Sequence, residues 1–268
     1  MAGTEYSLGH DDPEVQRLLL QGRLYGDHTE HALRLAGLAP GMRVLDVGCG
    51  PGDVSMAAAR IVGPDGSVTG VDAQQRILDL ATRRAAERGF ANARFHSADI
   101  FSLTAEQPYD AVIGRLILMH LADPVAAVRH LSGLVRPGGV VTFQDFEISA
   151  ARTVPAVTLI DQVSELVRRS FRAAGASTEM GSSLHRVFRD AGLAAPRMTM
   201  SGCIGPATDP DMTEFLAGVW RTMLPVAQRL GLDVTGLTDL DALPRRMRAA
   251  AGEAIVMLPP LVSAWSTV

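Results

Sequence analysis

The stretch Val44-Leu45-Asp46-Val47-Gly48-Cys49-Gly50-Pro51-Gly52 constrains this chain more than any other. An apolar strand runs directly into glycines at 48, 50 and 52, and a helical run from Val54 to Val62 follows. Glycines at such a strand-to-helix turn let the backbone approach a ligand with no Cβ in the way. The next apolar strand, Ser67-Val68-Thr69-Gly70-Val71, closes on Asp72, whose carboxylate at the strand tip can accept both hydroxyls of a ribose. Together these features imply an α/β chain that grips a nucleoside-containing ligand.

Spacing separates the candidate ligands. The dinucleotide fingerprint is G-x-G-x-x-G, with the helix start aimed at a pyrophosphate. Here the third glycine comes one residue early and Asp53 stands at the fingerprint's last position, where an acid repels a pyrophosphate. Asp46, just before the first glycine, suits a ligand that carries positive charge, such as a sulfonium with an amino-acid tail. Further segments follow in order: Ala93 to Ile100, Tyr109 to Arg115, Leu116 to Pro124, and Leu134 to Phe143 with its Pro137-Gly138-Gly139 turn.

On these motifs the chain resembles the class I methyltransferases that use S-adenosylmethionine, over roughly residues 40 to 150. Within them it is most similar to the quinone-pathway C-methyltransferase type and its bacterial small-molecule relatives. The resemblance implies a doubly wound, mostly parallel seven-stranded sheet in the order 3-2-1-4-5-7-6. It also implies S-adenosylmethionine as cofactor, S-adenosylhomocysteine as product, and no metal. Asp46, Gly48 and Gly50 then hold the methionine portion, Asp72 the ribose, and Asp99 the adenine amine, with Ile100 over the ring; Gly52 and Ala73 complete the cofactor-binding set. Arg115 either reaches the cofactor carboxylate or pairs with an acid.

Methyl transfer asks little of acid–base residues, since alignment can supply about 7–11 kcal/mol. An oxygen acceptor benefits from a base, whereas an electron-rich carbon needs none. His120, after strand four, is the candidate base; its alternative role is to tie the loop. Tyr25 resembles the lid tyrosines of related enzymes, with core packing as the alternative. Tyr6, Met119, Phe146, Met180 and Trp220 are the expected acceptor-pocket residues. Asp145 and Glu147, just past strand five, either contact the acceptor or are a strand end with alternating exposure. The expected acceptor is a small, largely apolar molecule of bacterial specialised metabolism, an indole or phenol methylated on carbon or oxygen. Respiratory-quinone C-methylation, a catalytically silent cofactor-binding module and a nicotinamide dehydrogenase are the competing readings.

The chain has 268 residues, 47% hydrophobic and 20% charged, which suits one α/β domain with additions. Residues 1–39 read as a helical lid: one helix from Pro13 capped by Asp11 or Asp12, a turn at Gly22 to Gly26, and a second helix from His28 to Ala36. Residues 40–150 form the cofactor core. Residues 151–268 continue the same domain, with acceptor-site helices within 155–191 and 209–252 and the final antiparallel strands. A net charge of −4 disfavours a nucleic-acid substrate. The arginine pairs 83–84, 168–169 and 245–246 read as solvated helix faces. Cys49 and Cys203 imply no disulfide and, with no signal peptide or membrane span apparent, a cytoplasmic location. Base rates make a homodimer the default assembly.

Overall fold

The computed structural model describes residues 13–268; Tyr6 and the helix caps expected at Asp11 or Asp12 lie outside them. In chain order the elements are α1 (Pro13–Leu35), β1 (Arg43–Val47), α2 (Asp53–Val62), β2 (Ser67–Asp72), α3 (Gln75–Glu87), β3 (Ala93–Ser97) and β4 (Tyr109–Arg115). A 3-10 turn (Leu118–His120) leads to α4 (Pro124–Ser132), β5 (Val135–Phe146), β6 (Arg152–Val154), α5 (Thr158–Ala173) and α6 (Met180–Asp190). The chain ends with β7 (Arg197–Ser201), β8 (Ile204–Pro206), α7 (Pro210–Arg229), α8 (Leu243–Ala250), β9 (Ile255–Met257) and β10 (Leu261–Thr267).

Seven strands pair in the order β3-β2-β1-β4-β5-β10-β7, parallel from β3 to β5, with β10 antiparallel to both of its neighbours. This is the expected topology, with β7 and β10 as the sixth and seventh strands of the main sheet. The period-two alternation of strand side chains builds the two faces. Val44, Ala111, Ile113 and Val140 pack with Val54, Ala58 and Ile61 of α2. Leu45, Val112, Val141 and Phe143 pack instead with Val128 and Leu131 of α4 and Leu184 and Phe188 of α6. Asp46, Arg115 and Gln144 therefore share the α2 face, and Asp145 faces α4 and α6.

The N-terminal lid departs from expectation. Residues 13–35 are one unbroken helix, with no turn at Gly22 to Gly26. Gly22 is small because α2 begins against it: a Cβ there would lie 2.6 Å from the Asp53 carboxyl carbon. Asp53 is itself held by Arg84, whose Nη2 lies 2.6 Å from its Oδ1. Arg84 also donates to the Pro51 carbonyl. Arg84 is thus a buried tie between α3 and the glycine loop and not part of a solvated face. Its charge offsets the Asp53 carboxylate, so the expected repulsion of a pyrophosphate is weaker than the sequence suggests.

Helix α7 packs on α1, α5 and α8 and roofs the strand ends together with α1. The Pro259-Pro260 break separates β9 from β10. β9 joins β6 and β8 in a three-stranded sheet, a feature absent from the sequence reading. Strand β5 continues through Phe146, so Asp145 lies inside the strand and not beyond it.

Candidate active site

A cavity of about 570 Å³ lies at the carboxyl ends of the parallel strands, where open α/β sheets bind ligands. One end is bounded by Gly48, Cys49, Gly50 and Pro51 after β1, Asp72 at the tip of β2, and Gln74 and Ile77 leading into α3. The glycine loop folds this way because Gly48 takes φ +65° and any Cβ would collide with Ile117. Asp72 is fixed in place by two backbone amides. Its Oδ2 accepts from Gly50 N at 3.1 Å, and its Oδ1 from Gln74 N at 3.0 Å. Each oxygen keeps lone-pair capacity for a further donor from the cavity.

Asp46 lies behind the loop, 1% exposed and off the cavity wall. Ser55 Oγ donates to its Oδ2 at 2.5 Å, while Oδ1 has no partner among the described residues. Burial pushes its pKa up to about 7, against the Ser55 hydrogen bond and the positive charge of Arg115. Arg115 lines the cavity and donates to Thr29 Oγ1 at 2.9 Å. Burial lowers its pKa, countered by Asp53, Asp46 and Tyr25. No carboxylate forms a salt bridge with it among the described residues, so its other donors remain for a ligand anion.

The other end is largely apolar. It is bounded by Met119, Phe146 and Ile148, by Val167 and Phe171 of α5, and by Phe215, Leu216, Val219 and Met223 of α7. Its polar rim comes from α1 and α7. Arg17 is paired with Glu14 at 2.5 Å and donates to Gln21 at 3.0 Å, while Thr222 Oγ1 donates to Glu14 at 2.9 Å. His120 stands on the same wall. Its backbone amide closes the turn on Ile117 O at 3.0 Å, and its ring makes no hydrogen bond among the described residues. The residue is exposed and its ring faces the cavity. Desolvation by the surrounding wall, with the Arg17 charge second, lowers its pKa from the usual histidine value.

The structure thus gathers Gly48, Gly50, Asp72, Arg115, Met119, His120 and Phe146 around one space. Several expected site residues stand elsewhere. The Tyr25 hydroxyl donates to Pro259 O at 2.9 Å, and its ring packs 4.9 Å from Phe146. Burial raises its pKa well above normal, so Tyr25 supports the wall from behind. Trp220 is turned away from the cavity and donates to Leu237 O at 2.9 Å. Met180 is buried at the start of α6, off the wall. Gly52 and Ala73 also lie off the wall, as do Asp99 and Ile100. The Asp99 carboxylate accepts from Phe101 N at 2.7 Å. Glu147 accepts from Ser182 N at 2.9 Å, which ties it to α6.

The sequence alone did not single out Val15, Leu18 and Gln21 of α1, or Ser164 and Phe171 of α5, as lining residues. Their spacing of three and seven is the available signal, but it does not say which neighbour the face meets.

Residues 38–192 match the family model described as a methyltransferase domain. The chain belongs to that family. It is 32% identical over 157 residues to a ubiquinone biosynthesis O-methyltransferase of Albidiferax ferrireducens, covering 56% of this chain and 61% of that protein. The matched region thus spans about three-fifths of that curated relative's length. An uncharacterized methyltransferase of Schizosaccharomyces pombe is 27% identical over 219 residues, covering 79% of this chain and 76% of that one. Among solved structures, the YcgJ protein of Bacillus subtilis shares the fold with a TM-score of 0.59 at 17% identity, covering 90% of this chain and 99% of that one. The family implies S-adenosylmethionine, and the residues present fit it. A fixed acid at the tip of β2, an unpaired arginine and a glycine loop are complementary to ribose hydroxyls, a carboxylate and a close-packed sulfonium tail. Among the described residues no helix is long and apolar enough to cross a membrane, and no cluster could hold a metal ion.

Proposed function

We propose that the protein is an S-adenosylmethionine-dependent methyltransferase for a small, largely apolar acceptor, an aromatic natural product such as an indole or phenol. The observation that carries this reading is the joining of two chemically different ends in one cavity: the Gly48–Pro51 loop with Asp72, and the apolar chamber under α1, α5 and α7. When bound, the cofactor supplies an electrophilic methyl group on a sulfonium.

The chain's residues do the rest. Asp72 takes the ribose hydroxyls, Arg115 the carboxylate, and Ile77 offers an apolar surface near them. Asp46, Gly52, Ala73, Asp99 and Ile100 support that end from outside the wall. The aromatic and aliphatic side chains of α5 and α7 exclude water and align the acceptor. His120, whose ring makes no hydrogen bond among the described residues, accepts a proton where the acceptor is a hydroxyl.

A quinone-type acceptor is the second reading, favoured by the likeness to the ubiquinone biosynthesis O-methyltransferases. The test is separate incubation with indoles, phenols and quinols and labelled S-adenosylmethionine, with products resolved by mass. Label on an indole or phenol supports the first reading and label on a quinol the second. S-adenosylhomocysteine binding with no transfer to any class would point to a silent module.

A further inference from the structure

Gln21 is a polar side chain that the proposed transfer leaves unused. It belongs to α1, lines the cavity and is 9% exposed. The helix decides which end of the cavity it faces, because residues four apart stand one turn above another. One turn before it, Arg17 lies against Gly218 of α7. One turn after it, the Tyr25 ring packs 4.9 Å from Phe146 and 6.0 Å from Phe215. Gly22 and Thr29, further round the helix, meet Asp53 and Arg115 at the cofactor end. Gln21 therefore stands in the stripe over the apolar chamber, which Leu18 of α1 and Leu216 and Val219 of α7 also line.

Arg17 fixes which way the carboxamide points. A guanidinium only donates, so the oxygen of Gln21 must face it, and Arg17 Nη1 lies 3.0 Å from Gln21 Oε1. Arg17 is held in turn by Glu14, with Nε 3.0 Å from Oε2 and Nη2 2.5 Å from Oε1. Thr222 of α7 donates to the same carboxylate at 2.9 Å. A flipped amide would set its own donors against the guanidinium, so Gln21 Nε2 turns away from Arg17. Nε2 makes no hydrogen bond among the described residues, and it is not one of the polar atoms sealed inside the protein. Two N–H donors on a nine-tenths-buried side chain thus reach the cavity without a partner. Leucine would fill the position and leave no donor unmet.

We infer that Gln21 is a specificity-determining residue of the chamber, and that its Nε2 donates to a carbonyl-type oxygen carried by the molecule to be methylated. The substrate class narrows accordingly, to small aromatic molecules that bear a ketone, aldehyde, ester or carboxylate group. A bare indole, whose polar group is an N–H donor, leaves Gln21 unmet, whereas an indole or phenol with a carbonyl substituent satisfies it. The role rests on the reading of the apolar end as the place of the methyl acceptor.

The experiment measures binding to the protein saturated with S-adenosylhomocysteine, so it needs no turnover. The probes are two matched pairs that differ by a carbonyl: 3-acetylindole with 3-ethylindole, and 4-hydroxyacetophenone with 4-ethylphenol. The parent should bind the carbonyl member of at least one pair about tenfold more tightly than its ethyl partner. In Gln21→Leu, or Gln21→Met if that variant does not fold, the ratio should fall to about one or below, because the buried carbonyl then lacks a donor. Gln21→Glu sets lone pairs where the donors stood and should also reverse the preference. S-adenosylhomocysteine affinity should stay within about threefold of the parent in each variant, since Gln21 faces the other end. A parent that binds no probe or prefers neither member, or a preference that survives in the Leu or Met variant, would overturn the assignment. So would a larger loss of S-adenosylhomocysteine affinity, which would give the amide to the cofactor. Selection of the carbonyl members that is lost in Gln21→Leu, in a protein that transfers methyl to no substrate, would keep the Gln21 contact and remove the methyltransferase reading. Methyl transfer without carbonyl selection would do the reverse.

Discussion

Alanine at the two glycines of α1 should have opposite effects. Both lie inside one helix, so intrinsic propensity favours alanine by about 0.8–1 kcal/mol at each. At Gly26 nothing lies within 4 Å of the new Cβ, and that gain should appear as added stability of about 0.5–1 kcal/mol. At Gly22 the Cβ would lie 2.6 Å from Asp53 Cγ, 2.7 Å from Oδ2 and 2.8 Å from Oδ1. The carboxylate cannot swing aside freely, because Arg84 holds Oδ1 at 2.6 Å and Oδ2 at 3.2 Å in a pair that is mostly buried. Overpacking of this kind costs about 1–3 kcal/mol, and displacing a partly buried ion pair adds to it. The net effect of Gly22→Ala is a loss of about 1–3 kcal/mol, which places the two variants about 1.5–4 kcal/mol apart. Urea unfolding followed by the fluorescence of the buried Trp220 and Trp265 reads the difference directly. Equal stabilisation by both substitutions would refute the Asp53 contact. Equal destabilisation would restore a glycine turn at 22–26.

Three other outcomes follow from the same geometry. Asp72→Ala should weaken S-adenosylhomocysteine binding by about 1–3 kcal/mol in calorimetry, through lost charged hydrogen bonds and a loosened Gly50 amide; unchanged affinity removes the ribose role. Tyr25→Phe should cost about 1 kcal/mol of stability by freeing the Pro259 carbonyl, yet leave kcat near the parent value; a large loss of kcat with stability intact would make Tyr25 catalytic after all. Folded Asp145 holds its proton up to about pH 8, while the unfolded chain releases it near 3.9. Its contribution therefore destabilises progressively as pH climbs between those values and levels off above them. Asp145→Asn should remove that slope, on the order of a few kcal/mol between pH 4 and 8, and identical pH–stability curves would contradict the buried acid.

The parts of this molecule legible in its sequence are those where chemistry allows few residues. The loop at 48–52 needs glycine wherever φ is positive, and an acid at the tip of β2 announces itself by following an apolar strand. The strand order followed from the family that the motifs resemble. What was illegible depends on partners remote in sequence. Gly22 reads as a turn residue until Asp53 of α2 is seen against it. Arg84 reads as a surface residue until it meets the same carboxylate. Trp220 and Val219 are neighbours on one apolar helix, and only the Leu237 carbonyl decides that the indole turns away from the cavity while Val219 lines it. The sheet of β6, β9 and β8 has strands of three residues, too short to show any period.

On the proposed function, this cavity brings a sulfonium methyl to a small apolar acceptor. That transfer is tested most directly by incubating the protein with methyl-labelled S-adenosylmethionine and a mixed panel of indoles, phenols, quinols, thiols, bulk RNA and a protein lysate, with products resolved by mass. Label is expected on one class of small aromatic molecule and on neither RNA nor protein. Label on RNA or protein, or no label despite tight S-adenosylhomocysteine binding, would contradict it.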